Sequence, residues 1–171
     1  MKAIIRSTRT SDGFTLIELL VGVVVIGILA SISVPNYISA RQKSFSAVVK
    51  GNMHISQVSA ECYAVDYAGM YPTGVTDLLP FFPGIGGTFP DNPITKTSNE
   101  TPAPCSLSSV SEIQAGRTDS GPTNYGGGEG QTTYSAIVDE SGSNTSYAIT
   151  GNGSGGNAVA GDKGHLILSN Q

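Results

Sequence analysis

The chain has 171 residues, of which 13% are charged, and its 9 basic and 13 acidic side chains give a formal net charge of −4. This length suits one folded domain with an anchor. The acidic balance excludes a general nucleic-acid-binding surface, which would need clustered lysine and arginine, so we expect no nucleic acid among its partners.

Residues 1–13 form a short basic leader, in which Lys2, Arg6 and Arg9 stand against one acid, Asp12. The apolar run that follows is longer than the core of a secretory signal peptide, about 7–15 residues, and no Ala-x-Ala-like cleavage site comes after it. The positive leader predicts that the N-terminus stays in the cytoplasm while the rest of the chain lies outside.

Residues 14–34 form the apolar run, and Glu18 is its one charged side chain. A helix of this length spans about 32 Å, which is close to the thickness of the hydrocarbon core of a bilayer. A carboxylate near the centre of such a helix costs about 2.5–3.5 kcal/mol on insertion scales, and less near an end. We therefore expect Glu18 to have a partner and a function.

The sequence GFTLIE at residues 13–18 resembles the processing site of type IV prepilins and of the related pseudopilins of type II secretion. The resemblance implies that a prepilin peptidase cuts between Gly13 and Phe14, removes the leader and methylates the new N-terminus to N-methylphenylalanine. It also implies that Glu18 is needed for assembly. We expect its carboxylate to pair with the new ammonium group at Phe14, within one helix or between neighbouring subunits.

The resemblance continues through Gly27, Pro35 and Tyr37 and covers the chain as far as about Lys43. Gly27 and Ser31 are four residues apart, so they lie on one helix face and let neighbouring helices approach closely. Pro35 removes one backbone hydrogen bond and is expected to bend the helix.

Residues 35–68 continue the helix as an amphipathic half. Apolar side chains at spacings of three, four or seven are predicted to form one helix face: Ile38, Phe45, Val48, Ile55, Val58, Cys62 and Val65. Gly69 and Pro72 end the pattern, so the whole helix is expected to run from about Thr15 to Ala68 and to be about 80 Å long. Its first half must be covered by lipid or by other copies of the chain.

Residues 69–130 predict a loop-rich connector, because proline and glycine recur throughout. A short helical turn is expected near Asp77. Five apolar side chains are predicted to pin the connector onto the long helix: Leu78, Leu79, Phe81, Phe82 and Phe89. Residues 96–130 are predicted to form an irregular, exposed loop.

Residues 131–171 predict an antiparallel β-meander with strands at Thr132–Val138, Ser146–Thr150 and His165–Ser169. Its apolar face is expected to cover the helix. The predicted fold class is α+β, namely the type IV pilin fold that the resemblance implies, with a long N-terminal helix packed on a small antiparallel sheet.

Cys62 and Cys105 both lie on the side of the membrane where disulfides persist. A disulfide between them would close a long loop, worth roughly 4 kcal/mol by the chain-entropy estimate. Two free, buried thiols are the alternative.

No catalytic constellation is apparent in the sequence, so we expect neither an enzyme nor a cofactor. His54 and His165 are isolated from any nucleophile pattern. Some pseudopilins bind calcium in the C-terminal region, and Asp139, Glu140 and Asp162 are weak candidates here, although their spacing matches no recognised calcium loop.

These observations predict a structural subunit that polymerises into a type IV pilus or a similar extracellular filament for adhesion or motility. The alternative is a type II secretion pseudopilin in a short periplasmic filament for protein export. A surface enzyme or a DNA-uptake subunit would need a catalytic cluster or a basic patch. The resemblance implies a single-pass precursor in the bacterial inner membrane, which then moves to the cell surface. Its expected partners are lipid, the peptidase, an inner-membrane assembly platform with a motor, and identical subunits.

Overall fold

The structure is a computed structural model that describes residues 13–83, 87–98, 101–118 and 121–171. The basic side chains of the leader lie outside these residues. The chain divides into two compact units, of which the first ends at Ala40 and the second is Arg41–Gln171. Below, the second unit is called the head.

Helix α1, Leu16–Asp66, runs through both units with Pro35 in its interior. The predicted bounds, Thr15 and Ala68, are confirmed to within two residues. Gly69 adopts φ +84° just after the helix and donates its N–H to the carbonyl of Ala64 at 2.8 Å. A positive φ favours glycine at this kind of helix end, so Gly69 acts as the stop that the sequence indicated.

The connector begins with the short helix α2, Val75–Leu78, and a 3-10 turn, Leu79–Phe81. Leu78, Phe82 and Phe89 are buried in one cluster with α1, and the rings of Phe82 and Phe89 lie 4.2 Å apart. The prediction that these side chains pin the connector to the helix is confirmed.

The sheet contains strands β1, Ala103–Pro104, β2, Thr132–Val138, and β3, Asn144–Gly151, in the order β1-β2-β3. Strands β2 and β3 form the predicted antiparallel hairpin, whereas β1 pairs parallel to β2. The sheet is therefore mixed, and the expectation of a purely antiparallel meander is wrong. Pro104 is tolerated because β1 lies at the edge, where one side of the strand needs no hydrogen-bond donor.

The predicted third strand, His165–Ser169, does not form a ladder. It makes one isolated antiparallel bridge to the hairpin, in which Ile149 and Leu168 exchange two backbone hydrogen bonds of 2.9 Å. Glycine-rich turns between Gly151 and Gly164 precede this segment. The segment is held by isolated backbone hydrogen bonds and by the Arg117 guanidinium, which donates to the carbonyl of Ile167.

Helix α3, Val110–Arg117, lies in the stretch that the sequence predicted to be irregular, so that prediction is wrong. The helix begins with a capping box. The Ser109 hydroxyl accepts from the Glu112 N–H at 3.3 Å, and the Glu112 carboxylate accepts from the Ser109 N–H at 3.2 Å. Two backbone donors at the start of the helix are thereby satisfied.

The sheet separates two hydrophobic clusters. Tyr134, Tyr147 and Ile149 pack in the cluster that contains α1 and the connector. Ile137 and Ala148 alternate with them along the strands and pack with Ile113 of α3 in the second cluster. The head therefore has a helix, a sheet and a second helix in three layers.

The face of α1 that packs on the head differs from the predicted one. The buried helix residues are Val49, Met53, Ser56, Ser59, Ala60 and Ala64. By contrast, Val48, Val58 and Val65 of the predicted face are exposed by 45%, 49% and 83%. Four of the six buried residues are small, so a pattern based on valine and isoleucine predicts the wrong face of the helix.

Gly151 shows how close this approach is. A Cβ atom on Gly151 would lie 2.5 Å from Cγ1 of Val49 and 2.8 Å from Sδ of Met53, inside the contact distance of carbon and sulfur. The end of β3 can therefore cross α1 only because this residue has no side chain.

A carboxylate of α1 fixes the helix to the sheet. Glu61 accepts hydrogen bonds from the Tyr147 hydroxyl at 2.6 Å and from the Tyr71 hydroxyl at 3.1 Å. Burial, followed by this hydrogen bond, raises the pKa of both tyrosines above the usual value of 10.0. The sequence pattern gave no indication of this cluster, because its members are far apart in the chain.

Candidate assembly site

The N-terminal part of α1 presents apolar side chains that nothing in the described chain covers. Each residue from Gly13 to Ser44 is exposed, and a window of this helix has a mean hydropathy of 2.6. Among the described residues, α1 is the one helix long and apolar enough to cross a membrane. Water is a poor solvent for such a surface, so lipid or another protein surface must cover it.

Glu18 forms a second capping box at the start of α1. Its carboxylate accepts from the Thr15 N–H at 3.0 Å and from the Thr15 hydroxyl at 2.6 Å. In return, the Thr15 hydroxyl accepts from the Glu18 N–H at 3.3 Å. A negative charge in the first turn is also favoured by the partial positive charge of the helix N-terminus.

The pattern Thr-x-x-Glu was present in the sequence as a capping signal, but the role of Thr15 was missed. The structure contains the uncleaved chain, in which the Phe14 nitrogen is part of a peptide bond. The Phe14 side chain is 85% exposed beside the capping box. Pairing between Glu18 and a free ammonium at Phe14 therefore stays a prediction for the processed chain.

Gly27, Ser31 and Pro35 follow one another at intervals of four on the same side of α1. A Cβ on Gly27 would meet no atom within 4 Å, so the space beside it is open. The Ser31 hydroxyl donates to the Ile28 carbonyl at 2.7 Å and is thus satisfied within its own helix. Pro35 has no N–H to give to the Ser31 carbonyl, which leaves one backbone bond of the helix unmade.

The structure does not form the expected disulfide. Both cysteines are free: Cys62 is exposed, and Cys105 is half-buried against the second hydrophobic cluster. Cys62 is two residues from both Ala60 and Ala64, which puts it about 160° around the helix from the side that faces the sheet. In this structure α1 thus turns the Cys62 thiol away from the head, and a disulfide between Cys62 and Cys105 stays a prediction.

The weak calcium candidates are not brought together. Asp139 closes the turn between β2 and β3, where its carboxylate accepts from the Ser141 N–H at 2.8 Å and from the Ser143 N–H at 2.9 Å. The Ser141 hydroxyl and these N–H groups lower the pKa of Asp139. No group of three or more metal-ligating side chains occurs within the described ranges, so Asp139, Glu140 and Asp162 do not form a site.

The two histidines lie apart from each other and have separate partners. His54 Nδ1 lies 3.3 Å from Oε1 of Gln57 on the exposed side of α1. His165 Nδ1 lies 3.2 Å from the Tyr125 hydroxyl, and its backbone N–H donates to the Gly116 carbonyl. Neither contact includes a nucleophile of the kind that acyl transfer requires.

Comparison with known proteins supports the resemblance read from the sequence. A profile described as the prokaryotic N-terminal methylation motif matches residues 8–34. The chain is similar to the type IV wide pilus major component PilA4 of Thermus thermophilus, with 38% identity over 58 residues. It is equally similar, at 38% identity over 58 residues, to the type II secretion system core protein G of Pseudomonas aeruginosa.

These similarities cover a limited part of each protein. The matched stretch is 34% of this chain, 44% of the pilus component and 41% of the secretion protein. No solved structure matches the chain.

Proposed function

We propose that this chain, a relative of type IV pilins and type II secretion pseudopilins, is a structural subunit that polymerises through α1 into a type IV pilus or a similar filament. The observation that carries the proposal is the apolar surface of residues 14–34, which is wholly exposed and contains one carboxylate, Glu18. The methylation motif at residues 8–34 supports the same conclusion.

The proposed maturation begins in the membrane. The leader of residues 1–13 keeps the N-terminus cytoplasmic, a prepilin peptidase removes it after Gly13, and Phe14 becomes the methylated terminus. Residues 14–34 then have lipid as their solvent until an assembly platform and motor transfer the subunit into a bundle of identical helices. The head is exported with this helix and forms the filament surface.

Glu18 is proposed to change partners during this transfer. In the uncleaved chain its carboxylate is held by Thr15, so the charge enters the membrane with hydrogen bonds already made. Cleavage creates an ammonium group at Phe14, and this cation is a stronger partner in a low-dielectric layer than a neutral hydroxyl. Pairing in the filament fixes the register of neighbouring subunits, since a misplaced subunit would leave a buried charge unpaired.

Substitution of Glu18 tests the proposal. Glu18→Gln keeps the size of the side chain and its ability to accept from Thr15, but it removes the charge. We expect the variant to be inserted and processed normally and the yield of sheared filaments to fall at least tenfold. The matched control is Glu140→Gln, because Glu140 is an exposed head residue.

Intact-mass analysis of the membrane fraction and electron microscopy of sheared filaments provide the two measurements. A normal filament yield from Glu18→Gln would refute the assembly role of the carboxylate. Wild-type cells whose filaments do not contain this chain would refute the proposed function.

A type II secretion pseudopilin is the second candidate, and the equal identity to core protein G is the observation that favours it. Deletion of the chain separates the two functions. Loss of surface filaments with normal protein export indicates a pilus subunit, whereas retention of export substrates in the periplasm indicates a pseudopilin. Both outcomes leave the Glu18 contact as the assembly device.

A further inference from the structure

A depression of about 450 Å³ opens on the head between α1, α3 and residues 161–167, which are called the C-terminal segment below. Its lining includes Lys50 of α1, Arg117 of α3, and Asp162, Lys163 and His165 of the C-terminal segment. All of these residues belong to the same compact unit, Arg41–Gln171. A volume in this range accommodates a small organic group.

The charge of this lining is opposite to that of the protein. Beyond Gly13 the chain has six basic and twelve acidic side chains, and three of those six bases line this one depression. Asp162 is the one acid among the lining residues. A concave, positive surface on an acidic body concentrates field lines and attracts anions.

Arg117 is held in place by four hydrogen bonds. Its guanidinium donates to the Ile167 carbonyl at 2.9 and 3.1 Å, to the Ser169 hydroxyl at 2.9 Å and to the main-chain oxygen of Gln171 at 3.1 Å. Three of these four bonds go to neutral acceptors of Ile167 and Ser169, and none goes to the side chain of an aspartate or a glutamate.

The other positive groups are available to a ligand. Lys50 and Lys163 are exposed, and within the described part of the chain neither ammonium group has a hydrogen-bond or ion-pair partner. His165 is oriented by Tyr125 through its Nδ1 atom, which leaves Nε2 free of that contact. Arg117 and His165, which are held by hydrogen bonds, together with the two exposed lysines make a partly preorganised receptor for an oxyanion.

We propose that this depression is an anion-binding site that takes one carboxylate or phosphate group. Two sources can supply that chemistry: a dissolved anion, or an acidic side chain of a neighbouring copy. The second source rests on the proposed function, because only a filament brings copies of this acidic chain close together. Binding of a dissolved anion does not depend on polymerisation.

The two histidines allow a direct test on the full chain in detergent micelles. Inorganic phosphate is titrated at pH 7 and constant ionic strength while the imidazole NMR signals of His165 and His54 are followed. We expect saturable shifts at His165 and clearly smaller ones at His54, which lies one helical turn from Lys50 but does not line the depression.

Two pairs of charge substitutions test whether the phosphate binds in the depression. Lys50→Gln with Lys163→Gln should raise the phosphate concentration at half-saturation at least tenfold. Lys43→Gln with Lys96→Gln makes the same change in net charge outside the depression and should alter it less than twofold. Equal shifts at both histidines, or equal weakening by both pairs of substitutions, would overturn the site.

The yield of sheared filaments then shows whether the anion is a dissolved one or an acidic side chain of a neighbouring copy. A loss of sheared filaments with the Lys50/Lys163 pair, but not with the Lys43/Lys96 pair, assigns the anion to a neighbouring subunit. Normal yield together with lost phosphate binding assigns it to a dissolved anion. If wild-type cells make no filaments of this chain, the proposed function fails, while the phosphate titration still decides whether the site exists.

Discussion

The two parts of helix α1 differ in what surrounds them, although the helix is continuous. In the first part Ile26 is 67% exposed and Leu29 is 60% exposed, whereas in the head Val49 and Met53 are fully buried. The exposed part consists mainly of large apolar residues, although Gly27 and Ser31 are small, and the buried face includes four small ones, Ser56, Ser59, Ala60 and Ala64. Apolar composition alone therefore does not show which part of this helix the chain itself covers.

The difference follows from what each part packs against. A sheet that crosses a helix closely needs small residues on the helix and a glycine on the strand, here Gly151. Lipid can surround large apolar side chains on all sides, and in a bundle of similar helices the small residues Gly27 and Ser31 let neighbouring helices approach. The first part of α1 is thus built for surroundings outside the chain, and the second part for the head.

Truncation of one large side chain in each part of α1 should give the largest difference in the free energy of unfolding. Met53→Ala removes a fully buried side chain and should lower the free energy of unfolding of the head by about 2–5 kcal/mol. Leu29→Ala should leave the unfolding of the head unchanged, because nothing in the described chain packs on Leu29. Urea unfolding of the full chain in mild detergent, followed by tyrosine circular dichroism, measures both.

Equal destabilisation by the two substitutions would show that the first part of α1 also contributes to the head. In a filament assay we expect Leu29→Ala to reduce assembly, because it removes apolar surface from the proposed helix bundle.

The contrast also explains how far the sequence could predict this molecule. The bounds of α1 and of β2 followed from the length of apolar periodicity and from strand alternation, which are local properties. The buried face of α1 did not, because Ala60 and Ala64 are less hydrophobic than Val58 and Val65 and only the approach of the sheet explains their burial. Helix α3 was missed although Ser109 and Glu112 carry a capping signal, since the surrounding serines and threonines indicate a loop.

The candidate assembly site was more predictable than the fold of the head. Glu18 stood out as the single charge in an apolar run, and its spacing from Gly13 and Phe14 is local. By contrast, Lys50, Arg117 and Lys163 are far apart in sequence, and only the tertiary fold gathers them around one depression. The sequence pattern therefore gave no indication of this depression.

A polar contact of the head should matter less than a core methionine but remain measurable. Tyr147→Phe removes the 2.6 Å hydrogen bond to Glu61 and leaves a half-buried carboxylate with one fewer donor. A hydrogen bond to a charged group contributes about 1.5–3 kcal/mol, so the free energy of unfolding should fall by roughly that amount.

Tyr37→Phe is the matched control in the other part of the helix, where the side chain is 69% exposed. It should leave urea unfolding of the head unchanged. A Tyr147→Phe variant as stable as the wild type would mean that Glu61 does not fix α1 to the sheet.

The smallest expected effect concerns the charge of a capping box. Both the apolar part of α1, at Thr15 and Glu18, and the head, at Ser109 and Glu112, have such a box. Hydrogen bonds from the Ser108 N–H and hydroxyl, followed by those from Ser109, lower the pKa of Glu112 below the ordinary carboxyl value of 4.5. Because the folded state depresses this pKa, the charged form stabilises the head above pH 4.5, and the contribution disappears as the pH falls through the lowered value.

Glu112→Gln keeps an acceptor for the capping box but cannot titrate. Its urea midpoint should therefore lie below that of the wild type at pH 7, by less than in Tyr147→Phe. The two midpoints should converge as the pH falls below the lowered pKa of Glu112, where both side chains are neutral. Glu140→Gln, which changes an exposed glutamate of the neighbouring hairpin, should match the wild type at both pH values. A difference for Glu112→Gln that persists unchanged in acid would mean that side-chain shape, and not the carboxylate charge, stabilises α3. In that case the Thr15–Glu18 box would also need no charge to cap α1, which would leave pairing with Phe14 as the sole reason for an acid at Glu18.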